Sequence, residues 1–393
     1  MRGIDNRTIN AEILTSPLSL YLHVPFCAAK CGYCSFYSRP PRGAQEMASW
    51  LDAVELEARL WRERAGQRIP LRTFYAGGGT PSLLPVPLWR RLLVAIEKNF
   101  DLSCLEEASV EANPSSFTED LLSLWEGTFF TRLSLGVQSL NDAELKTLGR
   151  LHNAGEAVRV MERVAGSARL TLSADLIFGV PGQTLRSWAA SVKEVLLAGA
   201  FHLSTYQLTL EPETPLGQSS PTLPDGYPLY RYTQWLLPRK GFFQYEISSF
   251  APPGSECRHN LAYWRQENVL ALGPAAWGYL NGLRYANPRT LETYLDSARK
   301  GFPAPLADGE SLGNRERAIE AAILALRTQW GINRTDFAAR WGAGLLREIE
   351  AVMFRLPPRL VRDDGASLAL TPAGMRVGNA VWTELMAMPP LTD

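Results

Sequence analysis

Leu22-His23-Val24-Pro25-Phe26-Cys27-Ala28-Ala29-Lys30-Cys31-Gly32-Tyr33-Cys34 is the stretch whose reading decides the fold. It follows directly on a β-like run at 19–24, and its cysteines are spaced by three and then by two residues. With five cysteines scattered at random over 393 positions, that spacing would arise in about one chain per thousand. Structural zinc usually wants four ligands, often from two C-x-x-C knuckles. No second knuckle exists, because Cys104 and Cys257 stand alone. A cubane iron–sulfur cluster normally takes four thiolates. Three leave one iron coordinatively open, as catalytic metal sites keep one position free. The triplet therefore reads as a three-cysteine [4Fe-4S] site on Cys27, Cys31 and Cys34.

Outward from this loop, residues 18–250 alternate β-like and helical runs. The strand candidates are 19–24, 72–76, 108–112, 132–136, 170–177 and 203–208, rich in β-branched and aromatic residues and ending near Gly, Pro or Asn. In the first helical run Met47, Leu51, Val54, Ala58 and Trp61 recur at spacings of three and four. Six β–α units predict an α/β fold built as a partial (β/α)6 barrel, with chemistry at the carboxyl ends of the strands. Unusual residues do cluster there. Gly77-Gly78-Gly79-Thr80-Pro81 follows the second strand and Glu111-Ala112-Asn113-Pro114 the third. Gly136-Val137-Gln138-Ser139 ends the fourth, with Arg150 after the next short helix, and Asp175 lies within the fifth. Glycines let a backbone approach a ligand closely. An acid among apolar strand residues is costly unless it faces a polar cavity.

The expected organisation is an amino-terminal segment at 1–17, the barrel at 18–250, a connecting region at 251–310 and a carboxyl-terminal domain at 311–393. Beyond Gly254 the alternation ends. Helical runs at 315–327, 334–341 and 345–355 lead into a hairpin at 360–370, turning at Asp363-Asp364-Gly365, and a last helix near Pro372. That order predicts a winged-helix-like module. Forty basic and forty acidic residues cancel, so no electrostatic footprint marks a nucleic-acid binder, and the module reads as a lid or packing domain. The composition, 46% hydrophobic and 20% charged, is that of a globular protein. The first sixteen residues carry charge and no apolar core, and no apolar run nears the ~18 residues of a membrane span. Clustered free thiolates fit a reducing, cytoplasmic setting.

The triplet resembles the signature of the radical S-adenosylmethionine superfamily. The resemblance implies the same partial barrel, an open iron that chelates S-adenosylmethionine, and reductive release of a 5′-deoxyadenosyl radical. The details resemble the coproporphyrinogen-dehydrogenase-like branch, and within it the haem-chaperone line. Leu148-Gly149-Arg150-Leu151-His152, Tyr206-Gln207-Leu208-Thr209-Leu210-Glu211-Pro212, Tyr245-Glu246-Ile247-Ser248 and His259-Asn260-Leu261-Ala262-Tyr263-Trp264 carry the likeness across nearly the whole chain. By matched position it implies that Tyr21, Gly78 and Glu111 surround the cluster-bound S-adenosylmethionine. Tyr33, Gly79, Thr80, Gln138, Arg150 and Asp175 match positions that line a second such site in the dehydrogenase. His259, Asn260, Tyr263 and Trp264 form the haem-associated motif; imidazole is a good axial iron ligand and aromatic faces pack on the macrocycle. Without the resemblance, the same four residues read as a capped turn and core.

Two departures bear on function. Related sequences usually have histidine where this chain has Trp277, in Gly273-Pro274-Ala275-Ala276-Trp277-Gly278. The dehydrogenase has a fourth cysteine two residues past its third, where Ser35 is followed here by Phe36. The resemblance thus implies a haem chaperone, with haem or porphyrin as cargo, a haem-acceptor protein and an electron donor such as a flavodoxin or ferredoxin. The enzyme alternatives are oxidative decarboxylation of coproporphyrinogen III and radical chemistry on another tetrapyrrole. No basic amphipathic helix declares a membrane surface, although a haem donor has a use for peripheral membrane contact. No catalytic residue is assigned.

Overall fold

The computed structural model describes residues 11–301 and 308–388. The first ten residues of the expected amino-terminal segment and residues 302–307 of the connecting region lie outside them.

Six strands lie parallel and side by side in chain order: β1 (Leu18–Val24), β2 (Ile69–Gly78), β3 (Glu107–Ala112), β4 (Arg132–Gln138), β5 (Thr171–Phe178) and β6 (His202–Gln207). Parallel neighbours need crossovers, and helices supply them. They are α1 (Ala44–Ala65), α2 (Val86–Asn99), α3 (Glu119–Glu126), α4 (Asp142–Leu148), α5 (Ala154–Ala165) and α6 (Leu185–Leu197), and α7 (Gly226–Leu236) follows β6. The stripe on α1 is buried as its spacing predicts, from Met47 through Leu51, Val54 and Ala58 to Trp61. Trp50, Trp89, Trp125 and Trp188 are fully buried among the barrel's core residues. Truncating such a side chain to Ala costs about 3–5 kcal/mol. The partial barrel is therefore as expected, with β2 beginning three residues earlier and β4 running on to Gln138.

The chain beyond Gly254 departs from the reading. The barrel does not close on itself: β7 (Ser249–Ala251) runs antiparallel along β6. After α8 (Arg258–Trp264), β8 (Val269–Leu272) pairs in parallel with the free side of β1. An antiparallel hairpin, β9 (Trp277–Leu280) and β10 (Leu283–Ala286), extends the sheet. It turns on Asn281 and Gly282, both with positive φ, the two-residue turn that matches strand twist. Helix α9 (Leu291–Arg299) and β11 (Asp308–Ser311) follow, β11 pairing with β10. The connecting region is thus an arm of the sheet. Val269-Leu270-Ala271-Leu272 is completely buried, and a four-residue apolar run carries no periodicity to betray a strand.

The last part runs α10 (Asn314–Leu326), β12 (Ile332–Asn333), α11 (Arg334–Trp341), α12 (Ala343–Met353), β13 (Val361–Asp363), β14 (Ser367–Leu370) and α13 (Gly378–Met386). β14 pairs with both short strands, and Gly365 takes φ 83° in the predicted turn. This is the winged-helix order, over a separate core that includes Ile349, Leu368 and Leu385.

Candidate cluster and cofactor site

The cysteine loop is closed at its neck. Cys27 N–H donates to Arg39 O at 3.1 Å and Arg39 N–H to Pro25 O at 3.0 Å. Between these ends, Cys34 N–H donates to Cys31 O and Gly32 N–H to Leu148 O, so the carboxyl end of α4 presses on the loop. His23 ties the loop to β1. Its Nε2–H donates to Tyr37 O at 2.8 Å, which leaves Nδ1 to accept from Tyr21 OH at 3.0 Å. Burial holds this imidazole neutral, its pKa near 4. Tyr37 OH in turn accepts from Leu291 N–H at 2.6 Å, at the start of α9.

Glycines at the end of β2 follow from what surrounds them. Gly78 has φ 106°, and a Cβ there would stand 2.4 Å from His23 Nδ1. At Gly79 it would meet Val24 O and Phe26 O at 2.7 Å. That closeness lets Gly79 N–H bond Val24 O and Thr80 N–H bond Phe26 O, both at 2.7 Å. The glycine loop is therefore clamped to the root of the cysteine loop.

A cavity of about 440 Å³ opens over this clamp at the carboxyl ends of the strands. It gathers the three cysteines with Tyr33, Gly78, Gly79, Thr80, Glu111, Gln138, Arg150 and Asp175, eight of the nine predicted cofactor residues. Tyr21 is one layer behind, stacked on Tyr75 at 6.3 Å. Glu111 accepts from Tyr75 OH at 2.8 Å and from Gly78 N–H at 3.1 Å. Burial, with Asp175 nearby, pushes its pKa up to about 7. Burial likewise lifts Asp175 to about 6, although Ser134 Oγ donates to it at 3.0 Å. Gln138 sits at φ 65° where the β4–β5 register slips, a costly backbone for a residue with a side chain and one that clusters at functional sites. Ser134, Tyr75 and Tyr206 belong to this end of the barrel without having been predicted. Ser134 shares the inward phase of Gly136, and Tyr75 that of Gly77, so strand alternation carried the signal.

The donors fit a three-thiolate cluster. Thr80 Oγ1 donates to Cys27 Sγ at 3.2 Å, and Arg150 bridges Cys31 Sγ at 3.5 Å to Gly136 O at 2.7 Å. Among the described residues no three His, Cys, Asp or Glu side chains converge on one ion position.

The motif that the resemblance associates with haem lies elsewhere. It forms α8, which plugs the barrel floor. His259 is 1% exposed and does not line the cavity. Thr73 gives its hydroxyl proton to Ser19 Oγ, so at 2.8 Å it accepts from His259 Nδ1–H. Nε2 keeps its lone pair, with no hydrogen-bond partner among the described residues. The ring stacks on Tyr75 at 5.1 Å and meets Tyr263 edge-on at 5.3 Å. Trp264 lies under the Arg327 guanidinium at 4.6 Å. Trp277, where the resemblance implies a histidine, is half exposed on β9.

Comparison with known proteins bears on the family and the fold. Residues 21–195 match the radical SAM superfamily model. "Heme chaperone HemW" of Lactococcus lactis is 30% identical over 95% of this chain and 98% of that protein. The Bacillus subtilis protein of the same name is 33% identical over 93% and 98%. The solved structure of Escherichia coli coproporphyrinogen III oxidase (HemN), described as a radical SAM enzyme, superposes with a TM-score of 0.82 over 96% of this chain and 92% of that one, at 22% identity.

Proposed function

The chain belongs to the radical SAM superfamily and, within it, to the heme chaperone HemW family, and from that premise we propose that it binds haem and passes it to an acceptor protein. The single observation that carries this reading is full-length similarity to those chaperones. Phe36, 70% exposed at the cavity rim where the dehydrogenase has a fourth cysteine, separates it from the decarboxylating enzyme.

Cys27, Cys31 and Cys34 would hold the [4Fe-4S] cluster, which would bind S-adenosylmethionine and supply single-electron chemistry to it. The chain's own residues do the rest. The Gly78–Gly79 turn lets the methionyl end approach the loop, Glu111 accepts hydrogen bonds from amino or ribose groups, and Thr80 and Arg150 direct positive dipole and charge at thiolate sulfur. Asp175 and Gln138 line the side away from the glycine turn, where a second S-adenosylmethionine or a cargo group would be met. His259, whose Nε2 has no hydrogen-bond partner among the described residues, would be the nitrogen that holds haem iron, with Asn260, Tyr263 and Trp264 on the same helix. A haem acceptor and an electron donor of flavodoxin or ferredoxin type complete the reading. Among the described residues no helix is long and apolar enough to cross a membrane, and the proposed setting is the cytoplasm.

Anaerobic reconstitution should give about four irons and one haem per chain. Haem titration beside a coproporphyrinogen III decarboxylation assay on the same sample tests the proposal; robust formation of protoporphyrinogen IX would overturn it. Cys31→Ala should abolish the cluster absorbance while leaving the far-ultraviolet dichroism of the barrel unchanged.

A further inference from the structure

Where α8 ends, the sheet arm meets the carboxyl-terminal module, and two arginines share one aromatic ring. The Arg317 guanidinium of α10 lies 5.4 Å from the Trp341 ring centre and that of Arg340, on α11, lies 4.6 Å from it. Cation–π contact holds each, but two like charges on one ring repel. Their hydrogen-bonding partners are neutral. Arg317 Nη2 donates to Asn281 Oδ1 at 3.2 Å, and Arg340 Nη2 to Gln266 Oε1 at 3.4 Å. No carboxylate of the described residues forms an ion pair with either; the nearby Glu320 is taken by Arg284 and by Gln266.

Two buried donors in the same seam have no partner among the described residues, Arg317 Nε and Tyr279 OH. A buried donor without a partner is costly, so the arrangement is unfavourable as it stands. Tyr279 pairs in register with Arg284, whose guanidinium holds Glu320 of α10, and lies two residues before Asn281, the acceptor of Arg317; burial lowers the Arg340 pKa, while Tyr279 raises it and Arg317 lowers it. An anion entering this seam would find two guanidinium groups that form no carboxylate ion pair among the described residues and a phenol hydroxyl with no acceptor there.

We propose that Arg317, Arg340 and Tyr279 form an anion seat that takes the propionate carboxylates of haem. This rests on the haem-handling reading above and gives it an anchor beside α8, since Gln266, which links Arg340 to α10, lies two residues beyond Trp264. Tyr279 and Trp277 project from the same face of β9, so the macrocycle would meet an aromatic surface at the position where relatives usually have histidine. The seat takes paired carboxylates; free phosphate offers similar chemistry and is the competing source.

The test is absorbance titration of the full reconstituted chain with haem and with haem dimethyl ester, whose propionates are blocked. Wild type should bind haem roughly tenfold more tightly than the ester, the worth of one charge-assisted contact. R317Q/R340Q should erase that preference while keeping ester affinity, iron content and dichroism, and Y279F should reduce it in part. Equal wild-type affinity for haem and ester would overturn the seat and leave the chaperone reading standing. Binding of neither would overturn both. Saturable calorimetric binding of inorganic phosphate that displaces haem from wild type and vanishes in R317Q/R340Q would overturn the propionate assignment in favour of a phosphate ligand.

Discussion

Glu107 and Glu111 stand four residues apart on the inward face of β3, one at the barrel's floor and one at its mouth. Both are withdrawn from water, and their acidities move in opposite directions. At Glu107 burial pushes the pKa up, but Arg132 at 3.1 Å and the backbone N–H groups of His259 and Arg258 outweigh it and hold the carboxylate below its ordinary range. At Glu111 burial wins, since a tyrosine hydroxyl and one backbone N–H are its hydrogen bonds among the described residues. The lesson is one of saturation. The floor has paired its charges and is a fastening, while the mouth has been left short of partners that a ligand would bring.

Breaking the floor should have the largest effect. Arg132→Ala strands a buried carboxylate and should cost about 3–5 kcal/mol, read from the urea midpoint; a loss below about 1 kcal/mol would mean that the pair is ornamental. At the mouth, Gly78→Ala forces a Cβ into His23 at φ 106°. It should cost about 1–3 kcal/mol and also release iron, because His23 secures the cysteine loop.

The two glutamates can be separated by pH. Glu107 is depressed, so its stabilising contribution exists above its ordinary value of 4.5 and is lost as pH falls through the folded value. Glu111 is raised to about 7, so its contribution is complete below 4.5 and is lost as pH rises through 7. Below about pH 5 E107Q should therefore fall further behind wild type as pH rises and then run parallel to it, whereas E111Q should gain on wild type between roughly pH 4 and 8. Parallel profiles in cluster-free protein would dissolve the contrast. The smallest effect belongs to Thr80→Val, which removes the hydrogen bond to Cys27 Sγ. Redox titration followed by electron paramagnetic resonance should find the cluster harder to reduce by the equivalent of about 1 kcal/mol.

The mouth was far more legible in the sequence than the floor. Cys27, Cys31 and Cys34 sit on one loop, and the glycines, Glu111, Gln138 and Asp175 each lie at or just past a strand end, so local pattern plus barrel topology was enough to converge them. The floor joins Ser19, Thr73, Glu107, Arg132 and His259 across long stretches of chain, and no local period encodes such a meeting. Glu107 reads as one acid in a Glu106-Glu107 pair, although Glu106 is left at the surface with Arg258 and Arg72. Strand β8 was hidden for the related reason that its register depends on β1, some 250 residues away.

The neck of the cysteine loop has a consequence for the life cycle of the protein. The backbone bonds between Pro25, Cys27 and Arg39 use no metal atom as partner, so a chain that makes them on folding has spent the entropy of closing that loop before iron and sulfide arrive. Oxidative loss of the cluster would then leave the neck of the loop closed. Amide exchange at Cys27 and Arg39 should be equally slow before and after reconstitution, making this a protein that can be emptied and refilled without passing through the unfolded state.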